Sequence, residues 1–125
     1  MEVLTPGSHG STFGGNPIAC AVARKSLEQI TRDDQWLVRN AREVGEYFMA
    51  KLWSRGIAAR GLGLFIGIPL DPKRLLASVV VRRLMELGII AGDASGNVLR
   101  LTPALIFSKE NADWALPVIA EATKY

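Results

Sequence analysis

Hydrophobic positions are unevenly spread along the chain. Residues 5–16 hold four glycines, Pro6 and the hydroxyl residues Ser8, Ser11 and Thr12, with Phe13 as the one large apolar side chain. Such a run reads as an extended loop. Asn16-Pro17 then predicts a helix start, with Asn16 as the capping acceptor and Pro17 pre-set for the first helical position. Residues 18–30 follow as a helix rich in small residues (Ala19, Cys20, Ala21, Ala23). A second start falls at Asp33-Asp34, where negative charge favours a helix N-terminus. Beyond it Leu37, Ala41, Val44, Phe48 and Leu52 recur three and four residues apart, which is one apolar stripe. Gly56 is its predicted stop.

The period changes after Gly56. Residues 57–60 and 64–70 read as strands, with Gly61 and Gly63 punctuating the junction. Asp71-Pro72 repeats the cap-plus-proline device and predicts a helix through residue 87. Leu75, Leu76, Val79, Val80, Leu84 and Leu87 form its buried side, and Gly88 ends it. Residues 89–91 read as a short strand, 93–97 as a turn and 98–102 as the returning strand. Ser108 then caps a last helix to about residue 124. Pro117 inside it should kink or delay the helix, at a cost of about 3 kcal/mol if truly interior. The succession predicts an α/β chain of the α+β kind, a small sheet covered by helices. Residues 1–32 differ from the rest: a Gly-rich loop and an Ala-rich helix bury little by themselves and should pack on something outside the chain.

Composition narrows this picture. A chain of 125 residues fits one ordinary domain, which argues against a complete multi-domain enzyme. With 49% hydrophobic and 22% charged residues it is neither disordered nor devoid of a polar surface. Fifteen basic against twelve acidic side chains leave a net charge of +3, and beyond pairs such as Arg82-Arg83 they are not clustered. A phosphate-tracking stripe needs clustering, so nucleic acid is not an expected partner. The longest nearly uncharged apolar stretch, 61–70, is far too short to span a bilayer, so no membrane is expected either. No secretory signal is expected. A lone cysteine, Cys20, suits a reducing cytoplasm.

Two stretches could carry chemistry. In Ser8-His9-Gly10-Ser11-Thr12-Phe13-Gly14-Gly15-Asn16-Pro17, glycines free backbone N–H groups, the hydroxyls of Ser11 and Thr12 add donors, and a helix begins at once. That is a recipe for holding a phosphate. It is neither a Walker loop, lacking the lysine, nor a dinucleotide fingerprint, lacking the preceding strand. On chemistry alone a plain loop leading into a capped helix is the commoner explanation. His9 is the only histidine, so no His-based metal site or catalytic triad is supported; its expected role is a hydrogen bond within the loop. In Val98-Leu99-Arg100-Leu101-Thr102-Pro103, alternation places Leu99 and Leu101 on one face and Arg100 on the other. An arginine there can clamp a carboxylate bidentately, or it can be an ordinary solvated sheet residue. The glycines of Arg60-Gly61-Leu62-Gly63-Leu64-Phe65-Ile66-Gly67 suggest close backbone approach, an architectural role.

In series, Pro6 to Pro17, Arg60-Gly61-Leu62-Gly63-Leu64 and Leu99-Arg100-Leu101-Thr102-Pro103 resemble the class III pyridoxal-phosphate aminotransferases. The likeness within that class is closest to the ornithine aminotransferases, through the His-Gly-Ser-Thr-Phe-Gly-Gly-Asn-Pro run and Asp113-Trp114-Ala115. It covers essentially the whole chain but only about the last third of such an enzyme. The resemblance implies a fold-type I architecture, with 1–32 a remnant of the large cofactor-binding domain and 33–125 the C-terminal small domain. It implies pyridoxal 5'-phosphate as cofactor, with Ser11 and Thr12 on its phosphate and Thr12 reaching across a dimer interface. It implies Arg100 as the grip on the substrate α-carboxylate, and an amino acid substrate.

No catalytic residue is assigned in this chain. The family's lysine, its acidic residue and its stacked aromatic lie upstream, and none of Lys25, Lys51, Lys73, Lys109 or Lys124 matches the lysine motif. Thr102-Pro103-Ala104-Leu105 also departs from the commoner Pro-Pro-Leu ending. The chain alone is therefore expected to be inactive, a fragment that pairs in a homodimer or with a complementing upstream chain. Acetylornithine and 4-aminobutyrate aminotransferases share the same motifs, and a non-enzymatic remnant that binds a partner subunit is the alternative from outside enzymology.

Overall fold

A computed structural model describes residue 5 and residues 7–124. Its elements follow in the order α1 (Pro17–Ser54), β1 (Arg60–Leu62), β2 (Phe65–Pro69), α2 (Ala77–Glu86), β3 (Gly92–Ala94), β4 (Val98–Leu101) and α3 (Lys109–Ala122). The backbone leaves helical geometry at residues 32–35, where Asp33, Asp34 and Gln35 take φ of 51°, 53° and 57°. α1 is thus two helical stretches in succession, as the two separate apolar patterns require. The chain divides into two compact units, Met1–Trp36 and Leu37–Tyr125.

The first unit contains a turn-rich loop and the first stretch of α1. Asn16 Oδ1 accepts from Ile18 N at 2.9 Å and from Ala19 N at 3.4 Å, an N-cap in the place the sequence indicates. None of the unit's described residues is buried.

The second unit holds the core. Four strands pair antiparallel in the order β1-β2-β4-β3. Ile66 and Ile68 of β2 and Leu99 and Leu101 of β4 point to one face. There they meet Phe48 and Leu52 of α1, Val80 and Leu84 of α2, and Leu116 and Ile119 of α3, in one buried cluster. Three helical segments therefore cover one face of a small sheet. Gly56 and Gly88 end α1 and α2 with φ of 73° and 86°. At each end two amides return to free carbonyls: Gly56 N to Trp53 O and Ile57 N to Leu52 O, then Gly88 N to Met85 O and Ile89 N to Leu84 O. This is the Schellman closure, which a left-handed glycine makes cheap.

Several boundaries differ from the sequence expectation, most of them for a visible reason. The first strand is 60–62 rather than 57–60, because the Trp53 indole N–H takes the Ala59 carbonyl at 2.8 Å and withdraws it from strand pairing. Asp71-Pro72 makes a single turn, with Lys73 N on Asp71 Oδ1 at 2.9 Å, and not the start of α2. That helix begins at Ala77, whose amide is capped at 2.7 Å by Asn97 Oδ1 from the β3–β4 turn. Residues 89–91 are not a strand, since the Ile89 amide is spent on closing α2; β3 starts at Gly92. α3 runs on through Pro117 and ends at Ala122, two residues earlier than expected. Among the described residues, no helix is long and apolar enough to cross a membrane.

Candidate functional site

The phosphate-loop candidate lies in the first unit, except for Pro6, which is outside the described residues. Ser11 and Thr12 stand side by side and exposed on a run of turns, with Gly14 N on Ser11 O at 3.3 Å and Asn16 N on Phe13 O at 3.2 Å. Among the described residues neither hydroxyl has a hydrogen-bond partner. A Cβ added at Gly7, Gly10 or Gly15 would meet nothing within 4 Å, so the backbone there is open to approach. The helix end is another matter. Its first amides already donate to Asn16, so the hydroxyls and the open loop, and not the helix N-terminus, are what an anion would find. His9 is exposed and makes no hydrogen bond among the described residues.

The carboxylate candidate lies in the second unit, where the alternation along β4 does what the sequence pattern requires. Leu99 and Leu101 are buried and Arg100 is exposed on the opposite, open face. Register aligns four residues across the sheet: Arg60 opposes Gly67, Gly67 opposes Arg100, and Arg100 opposes Gly92. The Arg100 guanidinium lies against Gly92, where an added Cβ would stand 3.1 Å from one terminal nitrogen and 3.4 Å from Nε. Arg60 and Arg100 both line a cleft of about 410 Å³, together with Gly61, Phe65, Gly67 and Ser95. No acidic residue lines that cleft, and neither arginine is ion-paired among the described residues.

The sequence reading gave the 60–67 stretch an architectural role. That holds for Gly61, whose added Cβ would sit 2.0 Å from Phe65 O, but the pattern did not show that Arg60 and Arg100 share a face of the sheet, two strands apart, and line one cleft. Only the register shows this, and register is a long-range property. A larger groove of about 650 Å³, lined by Val38, Met49, Leu62 and Phe65, is mostly apolar. The charges at its rim, Arg42 and Glu46, neutralise each other at 3.2 Å, so it offers no free group for chemistry.

No lysine lines the Arg100 cleft. Lys25 pairs with Glu28, Lys124 pairs with Glu121, and the ammonium groups of Lys51 and Lys109 lie 5.2 and 5.4 Å from the Tyr47 ring centre. Among the described residues no group of His, Cys, Asp and Glu could hold a metal ion. Free hydroxyls on a Gly-rich loop and a free arginine on a sheet suit the phosphate and carboxylate ends of a phosphate cofactor and an acid substrate. A covalent anchor for the cofactor has no counterpart among these side chains.

A two-unit chain with this loop, this small antiparallel sheet and this arginine belongs to the class III aminotransferases, whose family model matches residues 1–123. Members of that family are pyridoxal-phosphate enzymes. Among its relatives, the ornithine aminotransferase of Bordetella pertussis is 43% identical over 96% of the chain. The chain spans only 29% of that relative's length. Of the solved structures, an ornithine aminotransferase from Toxoplasma gondii with pyridoxal phosphate at partial occupancy superposes with a TM-score of 0.77. It shares 36% identity over 98% of this chain and 30% of its own. An acetylornithine aminotransferase from Elizabethkingia anophelis gives a TM-score of 0.76 at 31% identity, over 98% of this chain and 34% of that one.

Proposed function

We propose that the chain is the C-terminal part of an ornithine aminotransferase, which moves an amino group from ornithine to a 2-oxo acid with pyridoxal phosphate. Residues 1–32 are a strip of the large cofactor-binding domain, and 33–125 are the small domain. When bound, the cofactor supplies the electron sink that labilises a bond at the amino-bearing carbon. Ser11 and Thr12 donate hydrogen bonds to its phosphate. Arg100 holds the substrate carboxylate in a two-pronged grip, which fixes the amino acid's orientation. The unpaired Arg100 on the open sheet face is the observation that carries this reading, since a guanidinium without a counter-ion is what a carboxylate substrate needs.

Alone the chain is inactive, because no lysine stands by that arginine. The parent enzyme is cytoplasmic and dimeric, with Thr12 serving the partner subunit's site. Purified chain incubated with pyridoxal phosphate, ornithine and 2-oxoglutarate is expected to give no turnover. Co-expression with the lysine-bearing upstream part of an ornithine aminotransferase is expected to restore it. In that complemented enzyme, Arg100→Gln should raise KM for ornithine by roughly tenfold to a hundredfold, the worth of a charged hydrogen-bond pair. Ornithine turnover by the chain alone, with a reducible imine on one lysine, would overturn the inactivity.

The comparable likeness to an acetylornithine aminotransferase keeps that substrate, and 4-aminobutyrate, as the competing readings within the class. Assaying the complemented enzyme with all three donors separates them. A second reading, a remnant that binds another subunit without catalysis, is favoured by the exposed Phe13, Ile18, Val22 and Leu27 of the first unit. A strictly monomeric chain in sedimentation at several concentrations, with no dye-binding surface, would exclude it.

A further inference from the structure

Both cross-strand partners of Arg100 are glycines, Gly67 on β2 and Gly92 on β3. We propose that Gly92 is a positioning residue: it seats the Nε–Nη2 edge of the Arg100 guanidinium and leaves the Nη1–Nη2 end to receive a carboxylate. The proposal rests on the reading of Arg100 as a carboxylate grip and adds what aims it. Directly opposed residues share a face of the sheet, so each glycine leaves room beside the Arg100 side chain. The room above Gly67 is taken, since an added Cβ there would meet Cγ1 of Val98 at 3.1 Å. The room above Gly92 holds the guanidinium. The three atoms nearest to an added Cβ at Gly92 all belong to Arg100: Nη2 at 3.1 Å, Nε at 3.4 Å and Cζ at 3.7 Å. Both nitrogens are nearer than the carbon that joins them, so an edge of the guanidinium, and not its flat face, is turned to Gly92.

The fold itself does not ask for glycine at this position. Gly92 is not among the residues with positive φ, and strand positions favour a side chain. A glycine in a strand marks the close approach of another group, and here that group is the guanidinium. A long side chain that must be ordered at the moment of binding loses affinity, and one already lying in place loses less. With the Nε–Nη2 edge against the sheet, the two-pronged grip falls to Nη1 and Nη2, an end-on geometry. No ion pair competes for that end, because Arg100 has none among the described residues.

The test is a titration of the full chain with butyrate, followed through the guanidinium resonances of Arg100. In the free chain a nuclear Overhauser contact is expected between Arg100 Nε–H and the Gly92 α-protons. Butyrate is expected to move the Nη signals and to leave Nε–H in place. Gly92→Val should weaken butyrate about fivefold, the cost of ordering one freed side chain, and Gly92→Ala about twofold. In the valine variant Nε–H should shift and begin to respond to butyrate. Neither variant should lower the urea midpoint, which separates the aim of Arg100 from the stability of the sheet. A missing Nε–H contact in the unaltered chain overturns the proposal and needs no variant. So does a butyrate affinity that neither substitution changes. Arg100→Gln is expected to abolish butyrate binding. If it leaves binding intact, the underlying grip fails and the proposal with it. If it abolishes binding while Gly92→Val binds as the unaltered chain does, only the role of Gly92 fails.

Discussion

The two units use apolar residues in opposite ways. In the second, Phe48, Leu52, Ile66, Ile68, Leu84, Leu99, Leu116 and Ile119 are buried to within a few per cent. In the first, Ile18 is 76% exposed, Val22 60% and Leu27 62%, although Ile18 and Val22 stand one helical turn apart, as neighbours in the core stripe do. Amphipathic periodicity thus says that a helix has a face to bury and says nothing of where the burying surface comes from. In the second unit the sheet supplies it from within the same 89 residues, Leu37–Tyr125. None of the first unit's described residues is buried, which is what the strip of a larger domain proposed above would show. Several measurements can break or sharpen this contrast.

The largest effect is expected at Gly45, in the second stretch of α1. An added Cβ would stand 2.0 Å from the backbone oxygen of Gly63, in the turn between β1 and β2. Glycine-to-alanine in mid-helix ordinarily stabilises by about 1 kcal/mol. Here the neighbour is backbone and cannot step aside, so Gly45→Ala should cost more than about 3 kcal/mol in urea unfolding. A neutral or stabilising result would mean that helix and hairpin do not meet as closely as the packing of the second unit requires.

Next is Asn97, which ties three segments of that unit together. Its side chain accepts from Ala77 N at 2.7 Å and donates to Leu70 O at 3.0 Å and Leu75 O at 2.9 Å, while its own φ is 60°. Asn97→Ala loses all three bonds and strains the turn, for about 2–3 kcal/mol. Asn97→Gly relieves the turn but not the bonds, so it should recover less than half. Full recovery by glycine would assign the residue's worth to its backbone alone.

Asn97 also shows where the sequence stops being informative. Locally encoded features were readable: the glycine closures at 56 and 88, the Asn16 and Ser108 caps, and the inward Leu99 and Leu101 flanking an outward Arg100. Each depends on residues a few positions apart. Most of the misplaced boundaries depend on partners farther off or on a single amide claimed by a competing bond. The cap of α2 comes from twenty residues downstream, Trp53 removes the Ala59 carbonyl from strand pairing, and the Ile89 amide goes to Leu84. The same divide runs through the candidate site. Arg100 was legible from alternation within its own strand, whereas Arg60 joins it only through a register set by β2 between them.

A smaller effect, dependent on pH, is expected at the start of α3. The carboxyl of Glu110 is held below its ordinary value of 4.5 by the Ser108 side chain first, then by its own backbone amide, with Lys109 adding to both against a small desolvation. A carboxylate whose folded-state value is lowered stabilises the fold above its unfolded value and loses that contribution as pH falls through the folded one. Glu110→Gln should therefore lower the thermal midpoint slightly at pH 7 and not at all below the lowered Glu110 value. A difference that persists unchanged in acid would remove the charge from the explanation.

The smallest effect is expected in the first unit and bears most directly on the contrast. Ile18 and Val22 lie one helical turn apart, both largely exposed, so truncating them removes no buried contact. Ile18→Ala with Val22→Ala should change the stability of the isolated chain by no more than about 0.5 kcal/mol. A buried pair of the same size in the second unit would cost several times that. In the enzyme complemented with the upstream segment, the double variant should weaken assembly, because there the same side chains gain a surface to pack against. A loss of stability in the isolated chain would show that the first unit already buries this stripe, and the two units would then differ less than their exposures indicate.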